Sequence, residues 1–123
     1  MSPNRRNLGA SGEDIAANHL CKNGYNVLKR NFRNRSGEID IIARDGDVLT
    51  FIEVKTRRSE KHGSPAAAVT YRKQQQISKV ALYYLALHNL FDHDARFDVV
   101  SILLRKNQVP DIEIIKNAFE LIS

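Results

Sequence analysis

Hydrophobic positions along the chain follow two periods, and the change between them marks the elements. Counting from Glu13, Ala16, Ala17 and Leu20 recur at i+3, i+4 and i+7, the face of an amphipathic helix. Ser11 is placed to cap that helix, with Ser11-Gly12-Glu13-Asp14 as a capping box, and Gly24 ends it. Tyr25 to Phe32 alternates loosely and predicts a strand. Gly37–Arg44 and Asp47–Thr56 are apolar and β-branched on either side of Asp45-Gly46, which predicts two strands joined as a hairpin. Residues 57–65 are polar with Gly and Pro and predict an exposed, mobile loop. A short turn over Ala66–Val69 then leads into a helix from Thr70 to Asn89, whose Ile77, Val80, Ala81, Tyr84 and Leu85 form one apolar stripe. Arg96–Leu104 and Asp111–Lys116 read as strands around a turn at Asn107–Pro110, and Asn117–Ile122 is only weakly patterned as a helix. Helices separated by a block of strands imply a central sheet with helices against it, a small α/β sandwich.

The hairpin carries acids where a strand interior should not. Asp40 and Glu53 stand within apolar runs, and burying an unpaired carboxylate is costly. With Asp45-Gly46 as the loop, Asp40 lies opposite Phe51. One face then carries Glu38, Asp40, Ile42, Leu49, Phe51, Glu53 and Lys55, and the other Ile39, Ile41, Ala43, Val48, Thr50, Ile52 and Val54. Asp40 and Glu53 become diagonal neighbours about 7–8 Å apart at the backbone. Two such carboxylates are the usual protein contribution to a divalent hard-cation site. The competing reading is a structural pair neutralised by Lys55 or Arg57. Glu13 shares the apolar helical face and is aimed at the core, although an acid in a first turn also complements the helix dipole. Asp14, a quarter-turn away, is assigned to capping. Glu38 is assigned to a surface ion pair.

Length and charge narrow the class. A chain of 123 residues is one domain, 1–123, with 1–8 expected as a flexible N-terminal segment. Nothing approaches the roughly 20 apolar residues of a membrane span. The basic N-terminus has no apolar run behind it and is not expected to be a secretory signal. Cys21 is the only cysteine, which excludes an internal disulfide and suits a cytoplasmic protein. The four histidines show no ligand spacing, and no Gly-rich phosphate loop or Ser-His-Asp arrangement occurs. Net charge is +5, and the basic residues group before residue 36, at Lys55, Arg57, Arg58 and Lys61, and at Arg72, Lys73 and Lys79. Three basic groups around an acidic pair suggest a polyanionic partner such as nucleic acid.

Asp40 followed by Glu53-Val54-Lys55 resembles the D…ExK pattern of the PD-(D/E)xK nucleases. Gly12-Glu13-Asp14-Ile15-Ala16-Ala17, Gly37-Glu38-Ile39-Asp40-Ile41-Ile42-Ala43, Phe51-Ile52-Glu53-Val54-Lys55-Thr56-Arg57 and Asn117-Ala118-Phe119 resemble the YraN-like family of bacterial proteins, similar in motif order to archaeal Holliday-junction resolvases. The similarity runs from about Gly9 to Phe119. Ile39 stands where the superfamily's name has proline. The resemblance implies a three-layer α/β/α sandwich with a restriction-endonuclease-like αβββαβ core and a mixed sheet.

It also implies a metal-dependent endonuclease hydrolysing DNA phosphodiester bonds, with branched DNA as the structure-specific candidate. Asp40, Glu53 and Glu13 would hold Mg²⁺ or Mn²⁺, and Lys55 would serve the nucleophile or the phosphate charge. Arg57, Arg58, Lys61, Lys73 and Gln74 would contact nucleic acid. The alternative is a non-catalytic nucleic-acid-binding protein on the same fold. A homodimer is compatible with either, and cutting a branched substrate suits a symmetric one.

Overall fold

The computed structural model describes residues 8–58 and 66–122. Helix α1 spans Leu8–Lys22. Strands β1 (Tyr25–Asn34), β2 (Gly37–Asp45) and β3 (Val48–Arg57) follow, then a 3-10 turn at Ala66–Ala68 and helix α2 (Tyr71–Leu87). Strands β4 (Ala95–Leu103) and β5 (Asp111–Phe119) complete the order. The five strands form one sheet in sequence order. Only β3 and β4 pair in parallel, the remaining neighbours being antiparallel. Parallel neighbours need a crossover, and α2 supplies it. This is an α/β protein with a mixed sheet, as the restriction-endonuclease-like core requires.

The two helices cover opposite faces. Ala16 and Leu20 of α1 pack on Tyr25, Ile41, Ala43, Ile52, Val100 and Ile102. The α2 stripe Ile77, Val80, Ala81, Tyr84 and Leu85 packs on Ile42, Leu49, Phe51, Phe97 and Val99. The helical periodicity thus names both contact faces correctly. Ile15, which does not fit the α1 stripe, is partly buried at the border of that cluster. Thr70 caps α2, its side chain accepting from the Lys73 N–H at 3.2 Å. Among the described residues no helix is long and apolar enough to cross a membrane.

Three sequence expectations change. Helix α1 begins at Leu8, so Ser11 lies inside it rather than at its cap; residues 1–7 lie outside the described residues. Packing sets this start. Gly12 is buried against β3 so closely that a Cβ there would fall 2.5 Å from Thr56 Oγ1. Asp14 is likewise internal to α1 and pairs with Arg30 at 2.8 Å. Finally, Asn117–Ile122 forms no helix, because β5 continues to Phe119. Tertiary contacts hold it extended: Asn117 N–H donates to Asp98 Oδ1 at 2.9 Å, and the Phe119 ring stacks on Phe97 at 4.9 Å.

The hairpin loop is Gly46-Asp47 rather than Asp45-Gly46, because Asp45 pairs with Val48. Gly46 has φ +62°, and a positive-φ glycine at the first loop position is what a type II′ turn demands. The change moves the register by two residues, so faces are preserved but partners are not: Phe51 pairs with Ile42 instead of Asp40. Pairing ends at Ile41–Ile52. One further step of that register brings Asp40 opposite Glu53, not diagonal to it.

Candidate metal and nucleic-acid site

The site occupies the gap that opens where β2 and β3 stop pairing. Ile39 belongs to the α2-side core and Ile41 to the α1-side core, while Ile42 returns to the α2 side. Two consecutive residues, Asp40 and Ile41, therefore separate Ile39 from Ile42 on one face. The strict alternation that put Ile39 beside Ile41 slips there. Opposite the slip on β1, Asn31 takes φ +55°, a left-handed conformation that Asn tolerates better than most residues. The unpaired stretch leaves the Val54 N–H without a strand partner on the β2 side. The Asp40 carboxylate fills that role, with Oδ2 accepting from Val54 N at 2.8 Å.

Two groups of side chains meet at this gap. From the α1 side, Glu13, Glu38 and Asp40 bring carboxylate oxygens within 4.8 Å of one another. From the α2 side, buried Glu53 lies 3.6 Å from Lys55 Nζ and 3.7 Å from Lys73 Nζ. The expectation of a single face is therefore corrected: the set straddles the end of the β2–β3 ladder. Asp40 joins the halves, because it lies close enough to Glu53 for that carboxyl to raise its pKa.

Electrostatics record the crowding. Burial pushes the Asp40 carboxyl up to about 7, helped by the charge and hydrogen bond of Glu53 and by Glu38, and opposed by the Val54 N–H. Burial also raises Glu13, as does the Asp40 charge, while the Asn31 side chain and Arg30 pull it down. Like charges sharing a site disfavour full ionisation. A hard cation removes that conflict, and the donor set is all oxygen, the chemistry that suits Mg²⁺ or Mn²⁺.

The other expected contacts divide. Lys73 reaches the site through Glu53. Gln74 does not reach a carboxylate in this geometry; its Nε2 donates to the Val69 carbonyl at 2.9 Å, which ties the short turn to α2. Arg57 ends β3, and exposed Arg58 follows it. Arg58 lines an open cleft with Leu104, Arg105 and Lys106 at the same end of the sheet as Lys55. Lys61 lies outside the described residues.

Sequence reasoning missed three contributors. Glu38 does pair with Arg33 at 2.7 Å, as a surface acid would, but it also joins the carboxylate group. Asn31 and Arg30 hold Glu13 from β1. Only the polar character of those β1 positions hinted at a role, and the strand pattern alone could not distinguish it from solvent exposure.

A second polar cluster lies toward the other end of the sheet. Fully buried Asp98 accepts from Tyr25 Oη at 2.9 Å and from Arg96 Nε at 2.8 Å. Arg96 also donates to Asp45 at 2.6 Å, and Lys116 reaches the same carboxylate at 3.0 Å. Arg96 and Lys116 hold Asp45 below its usual range. The partners come from β1, β2, β4 and β5, so the cluster fastens strands together.

Comparison with known proteins gives a consistent result. Residues 12–102 match the model of Uncharacterised protein family UPF0102. A UPF0102 protein of Geotalea uraniireducens is 56% identical over 116 residues, covering 94% of this chain and 91% of the relative. One from Geobacter metallireducens is 53% identical over 121 residues, covering 98% of each. One from Caldicellulosiruptor saccharolyticus is 49% identical over 117 residues, covering 94% of this chain and 99% of the relative. With the αβββαβ core, these similarities make the chain a member of the UPF0102 (YraN-like) family, within the restriction-endonuclease-like superfamily.

Proposed function

We propose that the protein is a divalent-metal-dependent nuclease that hydrolyses DNA phosphodiester bonds. The observation that carries this reading is the junction at Asp40. Three carboxylates from α1 and β2 converge there, Glu53 of β3 adjoins Asp40 closely enough to raise its pKa, and two lysines stand behind Glu53. Such a set suits a charged ligand better than a resting core.

Asp40 and Glu53 would hold the cation, with Glu13 completing the shell directly or through water. In an extended strand the N–H and C=O of one residue point to the same neighbour, so the Val54 carbonyl faces the gap with its N–H and can serve as a further oxygen donor. The bound ion supplies Lewis acidity and a water of lowered pKa. Lys55 stands 3.6 Å from Glu53, beside the carboxylates that would hold the cation. Its ammonium can orient the attacking water or neutralise charge growing on the phosphate. Lys73 at the start of α2, 3.7 Å from Glu53, would hold the same phosphate. Arg57 and Arg58 would grip the backbone, with Lys61 adding to the same charge, contacts that position the strand without reading its sequence.

The ion pairing of Glu53 by both lysines favours one competing reading, a non-catalytic nucleic-acid-binding protein in which the acids are neutralised structurally. Incubation of purified protein with branched, single-stranded and duplex DNA in Mn²⁺, Mg²⁺ or EDTA separates the two. The nuclease cuts at least one substrate in metal and none in EDTA. Tight, salt-sensitive binding with no cleavage of any substrate establishes the binding protein instead.

A further inference from the structure

The bulge in β1 builds a small apolar pocket that the carboxylate chemistry does not use. Val27 pairs with Ala43 and Lys29 with Ile42, which leaves Leu28 as the extra residue. Bulges re-aim side chains, and here a leucine is left 42% exposed beside α2. It borders a cavity of about 290 Å³ whose other walls are Lys29, Phe32, Tyr84 and His88. The aromatic walls brace one another. Phe32 meets Tyr84 edge-on at 5.2 Å, Tyr84 lies 4.3 Å from the His88 ring, and half-exposed Tyr83 stacks on Phe32 at 6.2 Å. Exposed Lys29 sits at the rim, and no acid is among the described residues that line the pocket.

We infer that this pocket receives an unpaired nucleobase, with Lys29 on its phosphate; the inference rests on the nucleic-acid reading above. Flat apolar walls, one aliphatic side and a single cation at the mouth match a base attached to an anionic backbone. Stacking of that kind tolerates any base. The pocket lies on the same side of the sheet as Glu53 and Lys73. At 1.5 Å per residue, Tyr84 is about 16 Å further along α2 than Lys73. A strand held at the carboxylate gap can therefore reach the pocket only after a few nucleotides, and the base that enters it must be unpaired and unstacked. A continuous duplex keeps its bases paired, so this geometry selects DNA with single-stranded or branched segments.

The test uses a splayed duplex whose single-stranded arm either carries bases or is wholly abasic, with binding measured in Ca²⁺. Wild type should bind the base-bearing arm about tenfold more tightly, the lower part of the range for one stacked base. His88→Ala and Leu28→Ser, both at exposed positions, should bind the two arms alike while keeping the wild-type melting temperature. If wild type binds both arms equally, or if the variants keep the preference, the pocket is not a base site although DNA binding stands. Absence of binding to any DNA overturns the nucleic-acid reading and the pocket with it. A wild-type dimer that Leu28→Ser dissociates assigns the face to a second copy of the chain and overturns the base site.

Discussion

Asp40 accepts one hydrogen bond from Val54 N–H and otherwise faces carboxylates. Its folded-state pKa is raised, so the proton it keeps is part of what stabilises the metal-free fold. That contribution is complete below the unfolded value near 3.8 and is lost as pH rises through about 7. Metal-free protein should therefore lose stability across that interval, by at most about 4 kcal/mol, read as a falling melting temperature. Asp40→Asn keeps an acceptor for Val54 and removes the charge. It should flatten the loss and melt higher than wild type at pH 8 without metal. Mn²⁺ should raise the wild-type melting temperature by mass action and leave Asp40→Asn unmoved; equal responses would show that other groups bind the ion. For Lys55→Ala, DNA binding in Ca²⁺ should weaken by ~1 kcal/mol or less. Single-turnover cleavage in Mn²⁺ should slow by ~10²–10³, because the lost charge acts on the transition state. Equal losses in both would deprive Lys55 of a catalytic part.

The elements deliver those residues through two backbone devices. Helix α1 brings Glu13 to Asp40 because Gly12 lets it sit against Thr56. Gly12→Ala forces either the threonine or the helix to move, and should destabilise the fold by about 1–3 kcal/mol and weaken the Mn²⁺ response. Thr56→Ala in the same chain removes the clashing oxygen and should restore both; failure of that rescue would mean that α1 is positioned elsewhere. The hairpin works differently. At Gly46 an added Cβ meets nothing within 4 Å, so only its φ of +62° resists substitution. Gly46→Ala should cost about 1 kcal/mol in chemical denaturation and leave the Mn²⁺ response unchanged, since register is also held by the buried faces of both strands.

Across the whole molecule, basic side chains gather at the end of the sheet that carries the acids. Lys55 and Lys73 adjoin Glu53, and Arg58, Arg105 and Lys106 border the cleft beyond β3 and β4. Net charge is +5. Affinity for DNA should come chiefly from phosphate contacts and fall steeply with salt. Arg58→Ala with Lys106→Ala should lower the salt slope by about 1–2 and weaken binding, while turnover of bound substrate changes little. Anisotropy titrations at several salt concentrations read the slope directly, and an unchanged slope would place the backbone on another surface.

The order of elements, the two apolar helix faces and the D…ExK residues were legible in the sequence, because periodicity reports which side chains must leave water. Ile77, Val80, Ala81, Tyr84 and Leu85 are buried as their spacing requires. A glycine beside two polar residues announced the hairpin but not which pair would form its loop, since that choice depends on which residue adopts positive φ. Strict alternation also concealed the slip between Asp40 and Ile41. Strand period assumes a continuous ladder, and this ladder ends at Ile41–Ile52. Ser11 and Asn117–Phe119 show the same limit, because a cap or helix preference of a kcal/mol yields to Gly12 against Thr56 and to Phe119 on Phe97. Sequence determined which acids and lysines the protein has to use. Only the tertiary structure decided that Glu38 joins them and that Asp40 links the two sides of the sheet, because those positions follow from where two strands part.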